Sequence, residues 1–417
     1  MSNIPHSISY VPDLPFPDFK WKWASLQCTE SINDPIVLLG VLYRMRKLEI
    51  LDQGFKYSSP EFTNELRELS HDIKDSIGVD LAGRGGSRNL IRNSGQYWKA
   101  TGLIKPHNNS GLIQLTTFGQ KVADHEISQT EFAAYTISHF TLPNPTIQND
   151  AEIRLWRDSG LKIRPLLLIL QILLELKKRN VSRGISTGDI ATIIVPLSSQ
   201  KATLNDYIFF LEEYWSDKID ISKWPNCAKR SNDKRVLREF LLFLSNYGFI
   251  NESICTSKNR FEDQYILNPL IIEEIAALVD RAVTNHDSIT DDEEITSEVE
   301  RKRAKGRPNQ ANFRKRVLQA CERCVITNAT MPEILEAAHI KPYKYNGEDT
   351  AANGFAMRTD IHILFDTGHL RISPEGNVVL TKRARLDYGT IIPPRIVIPP
   401  FTNLDFVRWR WENYSGY

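Results

Sequence analysis

Between His286 and Pro308 the chain passes through an acidic block, Asp291 to Glu294, and then a basic block, Arg301, Lys302, Arg303, Lys305 and Arg307, with almost no large apolar side chain. Such a segment cannot bury enough apolar surface to offset the cost of ordering its backbone. No core runs through it, so hydrophobic cores must be built on either side. Residues 286–308 therefore read as a charged linker or an exposed helix. At 417 residues, and with roughly 100 to 200 residues per domain, about two to four domains are expected.

The same boundary separates charge. Residues 301–417 carry 19 Lys and Arg against 11 Asp and Glu, a balance of +8, and the remainder carries 33 against 40, a balance of −7, hidden in a whole-chain value of +1. A basic C-terminal part suits a polyanionic partner, because each neutralised phosphate releases counterions; a solvated basic face is the alternative. Hydrophobic content of 41% and charged content of 25% are ordinary for a globular chain. No apolar run reaches the roughly 18 to 20 residues that span a bilayer, and MSNIPHSISYVPDLPFPDF has neither the basic nor the apolar region of a secretory signal. A cytoplasmic protein without membrane contact is expected. Five cysteines, Cys28, Cys227, Cys255, Cys321 and Cys324, are odd in number and only the last two are close in sequence. That is poor material for a disulfide framework and fits a reducing compartment.

Upstream of the linker, Pro35 to Leu51 has apolar residues at helical spacing, and a second helix is expected from Pro60 to Leu69 after the capping residues Ser58 and Ser59. Arg88 to Trp98 leads into GLIKP, a polar tip at His107 to Gly111, and LIQLT, the alternation of a hairpin. A parallel arrangement follows: an apolar helix from Pro165 to Leu176, a further helix signal at ISTGDIATII, and a helix from Lys234 to Asn246 running into YGFINES and DQYILNP. Helices followed by a hairpin predict two winged-helix-like modules. In the first, RGGSRNLIR places Arg84, Arg88 and Arg92 just ahead of the expected recognition helix, where DNA contacts are expected. A solvated loop is the alternative reading.

Residues 313–379 differ in kind. EILEAAHI predicts a strand, KPYKYNGEDTAANG a long polar loop, RTDIHILFDTG a short helix and HLRISPEGNVVL a closing strand pair. On the short helix His362 and Asp366 stand four residues apart, one turn along one face, where they can share a metal ion or form a surface pair. The series AAHI, NG and DIHILFD resembles the HNH nuclease family, whose fold is the ββα-metal motif, and the resemblance covers about a quarter of the chain. Its signature positions fall on His339, Asn353 and His362.

That resemblance implies a metal-dependent phosphodiesterase. His339 would be the general base, a role suited to an imidazole of pKa near ~6.5, rather than a buried histidine bonded to a carbonyl. His362 and Asp366 would hold one divalent ion, Mg²⁺ with Mn²⁺ as a substitute, against the scissile phosphate. Asn353 would bond across the long loop and orient the base. The family often carries a metal ligand just before the base, but here that residue is Ala338. Glu336, two residues earlier and on the same strand face, is the expected replacement ligand, with a salt bridge to Arg358 or Lys341 as the alternative. Lys341 and Arg358 are candidate DNA contacts. CERC, Cys321 to Cys324, is similar to the zinc pairs that brace some HNH domains, but no second pair follows. Structural zinc is not expected, and both cysteines read as small core residues. His369 reads as a surface histidine, and Trp409 and Trp411 as residues packed on the nuclease core.

The expected fold class is multidomain α+β: a winged-helix-like recognition module at 1–150, a second helical or winged-helix-like module at 151–285, the linker at 286–308, and an HNH domain at 309–417. The expected function is a site-specific endonuclease acting on double-stranded DNA, a type II restriction enzyme working as a homodimer. A DNA-binding regulator with a degenerate HNH part and a mobile-element nuclease are the competing readings.

Overall fold

The computed structural model describes residues 4–23, 35–51, 54–77, 95–106, 111–254, 259–284, 310–331, 334–342, 345 and 347–413. Arg84, Arg88, Arg92 and the charged stretch 286–308 lie outside the described residues. The chain divides into two compact units, each assembled from separated pieces. Residues 1–35, 88–120 and 129–290 form the first, and residues 36–87, 121–128 and 291–417 the second.

The second unit opens with α1, Pro35–Ile50, and α2, Pro60–Ile77. Arg44 on α1 is buried and paired with Glu65 and Asp72 on α2, which fixes the two helices side by side.

In the first unit the organising element is α3, Pro165–Lys178, whose sequence PLLLILQILLELKK is apolar nearly all round. A helix of that composition must be buried on several sides, and Leu166, Leu167, Ile169, Leu170 and Ile172 are. Pro165 occupies the first turn, where its missing N–H leaves no bond unmade. Around it pack α4, Leu204–Trp215, α5, Ser231–Asn246, and α6, Ile272–Thr284. A three-stranded antiparallel sheet in the order β1-β3-β2 completes the unit, from β1, Ile185–Ser186, β2, Ile250–Ile254, and β3, Gln264–Leu267. The expected hairpin YGFINES to DQYILNP is β2 and β3, paired Ile250 with Leu267. The earlier expected hairpin pairs at a single described bridge, Ile104 with Leu115. The N-terminal segment is anchored by buried Phe19, Trp21 and Trp23, and the Trp21 indole donates to Ser198 Oγ at 3.0 Å.

The rest of the second unit carries the nuclease-like segment. Helix α7, Gln310–Ala320, precedes the antiparallel pair β4, Leu335–His339, and β5, Gly354–Arg358, which runs directly into α8, Thr359–Asp366. A second pair follows, β6, Leu370–Ile372, with β7, Val378–Leu380, then α9, Lys382–Tyr388, and α10, Leu404–Asn413. The mixture of helices and small sheets agrees with the α+β class; strand β4, the polar loop and helix α8 follow in the expected order, and β5 is inserted between loop and helix.

Strand alternation divides β4 between two packing layers. Ala338 enters the core formed with Phe355, Ile361, Phe365 and Leu370, while Ala337 packs with Phe313, Val317 and Ala356 beneath α7. The register sets His339 opposite Gly354. A methyl group on Gly354 would lie 2.2 Å from Val317 Cγ2 and 3.0 Å from Phe313 Cζ, so only glycine lets α7 approach the sheet this closely. Gly354→Ala is therefore expected to destabilise this unit by about 1–3 kcal/mol, because the branched Val317 has little rotamer freedom to yield; chemical denaturation of the full chain followed by tryptophan fluorescence measures it.

Candidate active site

The site is built where β4, β5 and α8 converge. Helical spacing places His362 and Asp366 one turn apart on α8, and β4 brings Glu336 against that turn. The His362 ring lies between two carboxylates: Nδ1 is 2.9 Å from Glu336 Oε2 and Nε2 is 3.0 Å from Asp366 Oδ2. Burial works against a charged imidazole here, but Asp366 and Glu336 outweigh it and raise the His362 pKa to about 10. Burial would likewise push the Asp366 carboxyl upward, and His362 and Arg410 together hold it well below the usual carboxylate range. At neutral pH this is an imidazolium clamped by two carboxylates.

Ala338, the position where the family often has a ligand, is fully buried in the core. An acidic side chain there would lose its hydration without a partner. Glu336 stands on the same strand face nearer the helix, and its partner is His362, not the salt bridge to Lys341 or Arg358 weighed from sequence.

The donor types, one imidazole and two carboxylates within hydrogen-bond distance of it, fit a hard or borderline divalent ion. Among the described residues, however, no group of three or more His, Cys, Asp and Glu side chains is already converged as a metal cage. Both His362 nitrogens face carboxylates, so a ring proton must leave before the ring can act as a ligand.

His339 ends β4, half-buried. Its Nε2 is 2.9 Å from Asp349 Oδ1, and its ring stacks on Phe313 with centroids 3.7 Å apart and planes within 16°. Asp349 comes from the long polar loop, where no periodicity marks it, and sequence reasoning missed it along with Phe313. Asn353, expected to orient the base, is fully buried and staples that loop. Its Oδ1 accepts from Lys341 N at 2.8 Å, and its Nδ2 donates to the carbonyls of Lys341 at 2.8 Å and Glu348 at 2.9 Å. Gly347 lies in the same turn, where a Cβ would be 1.8 Å from the Lys341 carbonyl oxygen. Asn353 thus shapes the loop that carries Asp349, and Asp349 touches the imidazole.

Of the expected DNA contacts, Lys341 holds its ammonium 5.3 Å from the centroid of the Trp409 ring, and Tyr345 packs on that ring at 4.9 Å. Arg358 is a correction. It is fully buried, bound through two bonds by Asp360 at 2.6 and 2.7 Å, and does not present its guanidinium at the surface. Cys321 and Cys324 are buried core residues, and Cys324 Sγ accepts from the Arg358 and Thr327 amides. His369 is half-buried and bonds Thr381 Oγ1 at 2.9 Å. Trp409 and Trp411 are half-buried on α10, with the Arg371 guanidinium 4.2 Å over Trp411.

Residues 324–373 match the family model HNH_2, described as HNH endonuclease. The C-terminal region therefore carries an HNH endonuclease domain, and it holds His339, Asn353, His362, Asp366 and Glu336. Among solved structures, the chain is similar to one described as pyrene- and phenanthrene-modified DNA in complex with the BpuJ1 endonuclease binding domain. That match has 19% identity, covers 54% of this chain and 75% of that one, and has a TM-score of 0.39. A comparison with curated proteins returned no match.

Because His362 is protonated in the metal-free chain up to about pH 10, ion binding is expected to release about one proton per ion near neutral pH, and affinity should rise with pH until that proton is gone. Calorimetric titration with Mn²⁺ in two buffers of different ionisation enthalpy measures the release, and a value of zero at pH 7 would contradict this charge state.

Proposed function

We propose that the chain is a site-specific DNA endonuclease hydrolysing phosphodiester bonds by a one-metal, histidine-general-base mechanism, in which residues 309–417 cut and the N-terminal modules select the site. The observation that carries this is the HNH-matched segment folding so that Glu336, His362 and Asp366 form one network beside a base candidate oriented by a carboxylate.

In this mechanism His339 takes the proton of the attacking water. Asp349, accepting from Nε2, selects the tautomer whose lone pair lies on Nδ1 and stabilises the imidazolium that forms, the service a carboxylate renders a catalytic histidine elsewhere. Phe313 restricts rotation of the ring. Asn353 keeps the loop closed so that Asp349 stays in reach. His362 and Asp366 would hold the divalent ion, Mg²⁺ or Mn²⁺, which when bound neutralises charge at the phosphate and at the leaving 3′ oxygen. Glu336 either joins them or, remaining on Nδ1, orients His362 as a carboxylate partner of a ligating histidine.

A type II restriction role, with homodimers cutting both strands of a two-fold site, is the biological reading we favour. It draws on the basic balance of the C-terminal part and on a helix-and-hairpin order upstream that suits winged-helix recognition modules, with Arg84, Arg88, Arg92 and Lys341 as DNA contacts. The rival is a DNA-binding regulator with a degenerate nuclease domain, motivated by Ala338. Wild-type and His339→Ala protein incubated with plasmid and phage DNA under Mg²⁺, Mn²⁺ or chelator separate the two. Discrete fragments from wild type, lost with chelator and slowed at least ~10²-fold by the substitution, are expected; DNA retarded on a gel but uncut under every metal would establish the regulator instead.

A further inference from the structure

Helix α10 follows the matched segment by some distance in sequence, yet its Arg410 reaches the centre of the site. Arg410 is only 5% exposed. Nη1 donates to the carbonyls of His339 at 3.0 Å and Ile340 at 3.1 Å, and Nη2 donates to the Phe365 carbonyl at 2.7 Å and to Asp366 Oδ1 at 3.0 Å. The guanidinium lies 3.7 Å over the Phe365 ring. Val407, one turn earlier on the same face, is buried in the core and fixes the helix.

We propose that Arg410 is a positioning residue of the nuclease site, and that α10 is accordingly part of the catalytic unit; this rests on the nuclease reading above. The acceptors lie at two element ends whose geometry matters most. His339 and Ile340 are where β4 pairing stops and the base side chain departs. Phe365 and Asp366 are in the last turn of α8, where carbonyls lack helical partners and the helix dipole is negative. One planar fork satisfies both ends and thereby sets the distance between them. It also divides the Asp366 carboxylate: Oδ1 is held by Arg410 while Oδ2 faces His362. With 54% of its side chain exposed, Asp366 would be held against the helix by His362 alone if Arg410 were absent. Lysine cannot replace this function, since a single ammonium lacks the fork that spans acceptors on two segments.

The test uses the full chain with Arg410→Lys, Arg410→Met and, as a control on the exposed face of the same helix, Arg408→Ala, which removes only a surface pair with Asp405. Mn²⁺ affinity is measured by calorimetry well below the melting temperature, together with the Mn²⁺ concentration for half-maximal DNA cleavage. Both Arg410 variants are expected to weaken Mn²⁺ affinity by about tenfold or more and to shift the half-maximal concentration in parallel, as loss of a group that orients a ligand does. Arg408→Ala should match wild type. If Arg410→Met loses its cooperative melting transition, Arg410→Lys decides. Wild-type affinity and metal dependence in a folded Arg410 variant would overturn the proposal. A wild-type chain that binds Mn²⁺ without cutting DNA would sink the nuclease reading alone, because the affinity comparison still decides this one; a wild-type chain that binds no Mn²⁺ overturns both.

Discussion

The antiparallel pairing of β4 with β5 is the constraint from which the rest of the site follows. Because side chains alternate along a strand, this register commits Ala338 to the core beneath α8 and turns Ala337 toward α7. A slip of one residue would send the imidazole of His339 into the apolar layer and Ala338 out of it. The pairing also delivers Arg358 to the start of α8, so the helix that bears His362 and Asp366 begins where β5 ends, and its first turn lies against Glu336. Gly354 completes the arrangement by allowing α7, and with it Phe313, to come down onto the strand end where His339 sits.

Around that frame three charged groups are paired internally. Arg358 is matched by Asp360, Arg410 by four acceptors, and His362 by two carboxylates. Removing one partner of such a group leaves a desolvated charge, which costs several kcal/mol, whereas the intact network contributes little net stability. Networks of this kind are better understood as devices of position than of stability. Here they hold a strand end, a helix end and a polar loop in one geometry. The clamped imidazolium of His362 has a chemical consequence too, since an ion taken up by this ring would have to displace its proton, coupling the two events.

The first unit is held together on different terms. Its centre is a helix apolar on nearly every side, and aromatic residues from distant segments pack together, as Trp23 does on Phe140 and Phe240. Dispersion and apolar burial supply the cohesion there, and polar side chains mainly cap helices, as Asn149, Ser186 and Thr203 do. The two units therefore illustrate separate uses of a core, one organised by burial and the other by a polar site that the core merely supports.

Much of this was legible from sequence because it depends on short-range periodicity. Helical spacing located α1, α3 and α5 closely, the apolar run of EILEAAHI and the order of motifs marked β4 and α8, and the series on His339, Asn353 and His362 singled out the segment that the HNH family model matches. What sequence could not supply were partners set by long-range packing. That Ala338 faces the core, that Arg358 is consumed by Asp360, that Asp349 reaches His339 from a featureless polar loop, and that Arg410 closes the site from a tail read only for its tryptophans all depend on which surfaces meet once distant segments fold together. Local pattern determines what an element is and which residue types it offers. Tertiary packing decides which of those residues lose their water and find one another, because burial and charge pairing are properties of the assembled surface and have no periodic trace in the chain.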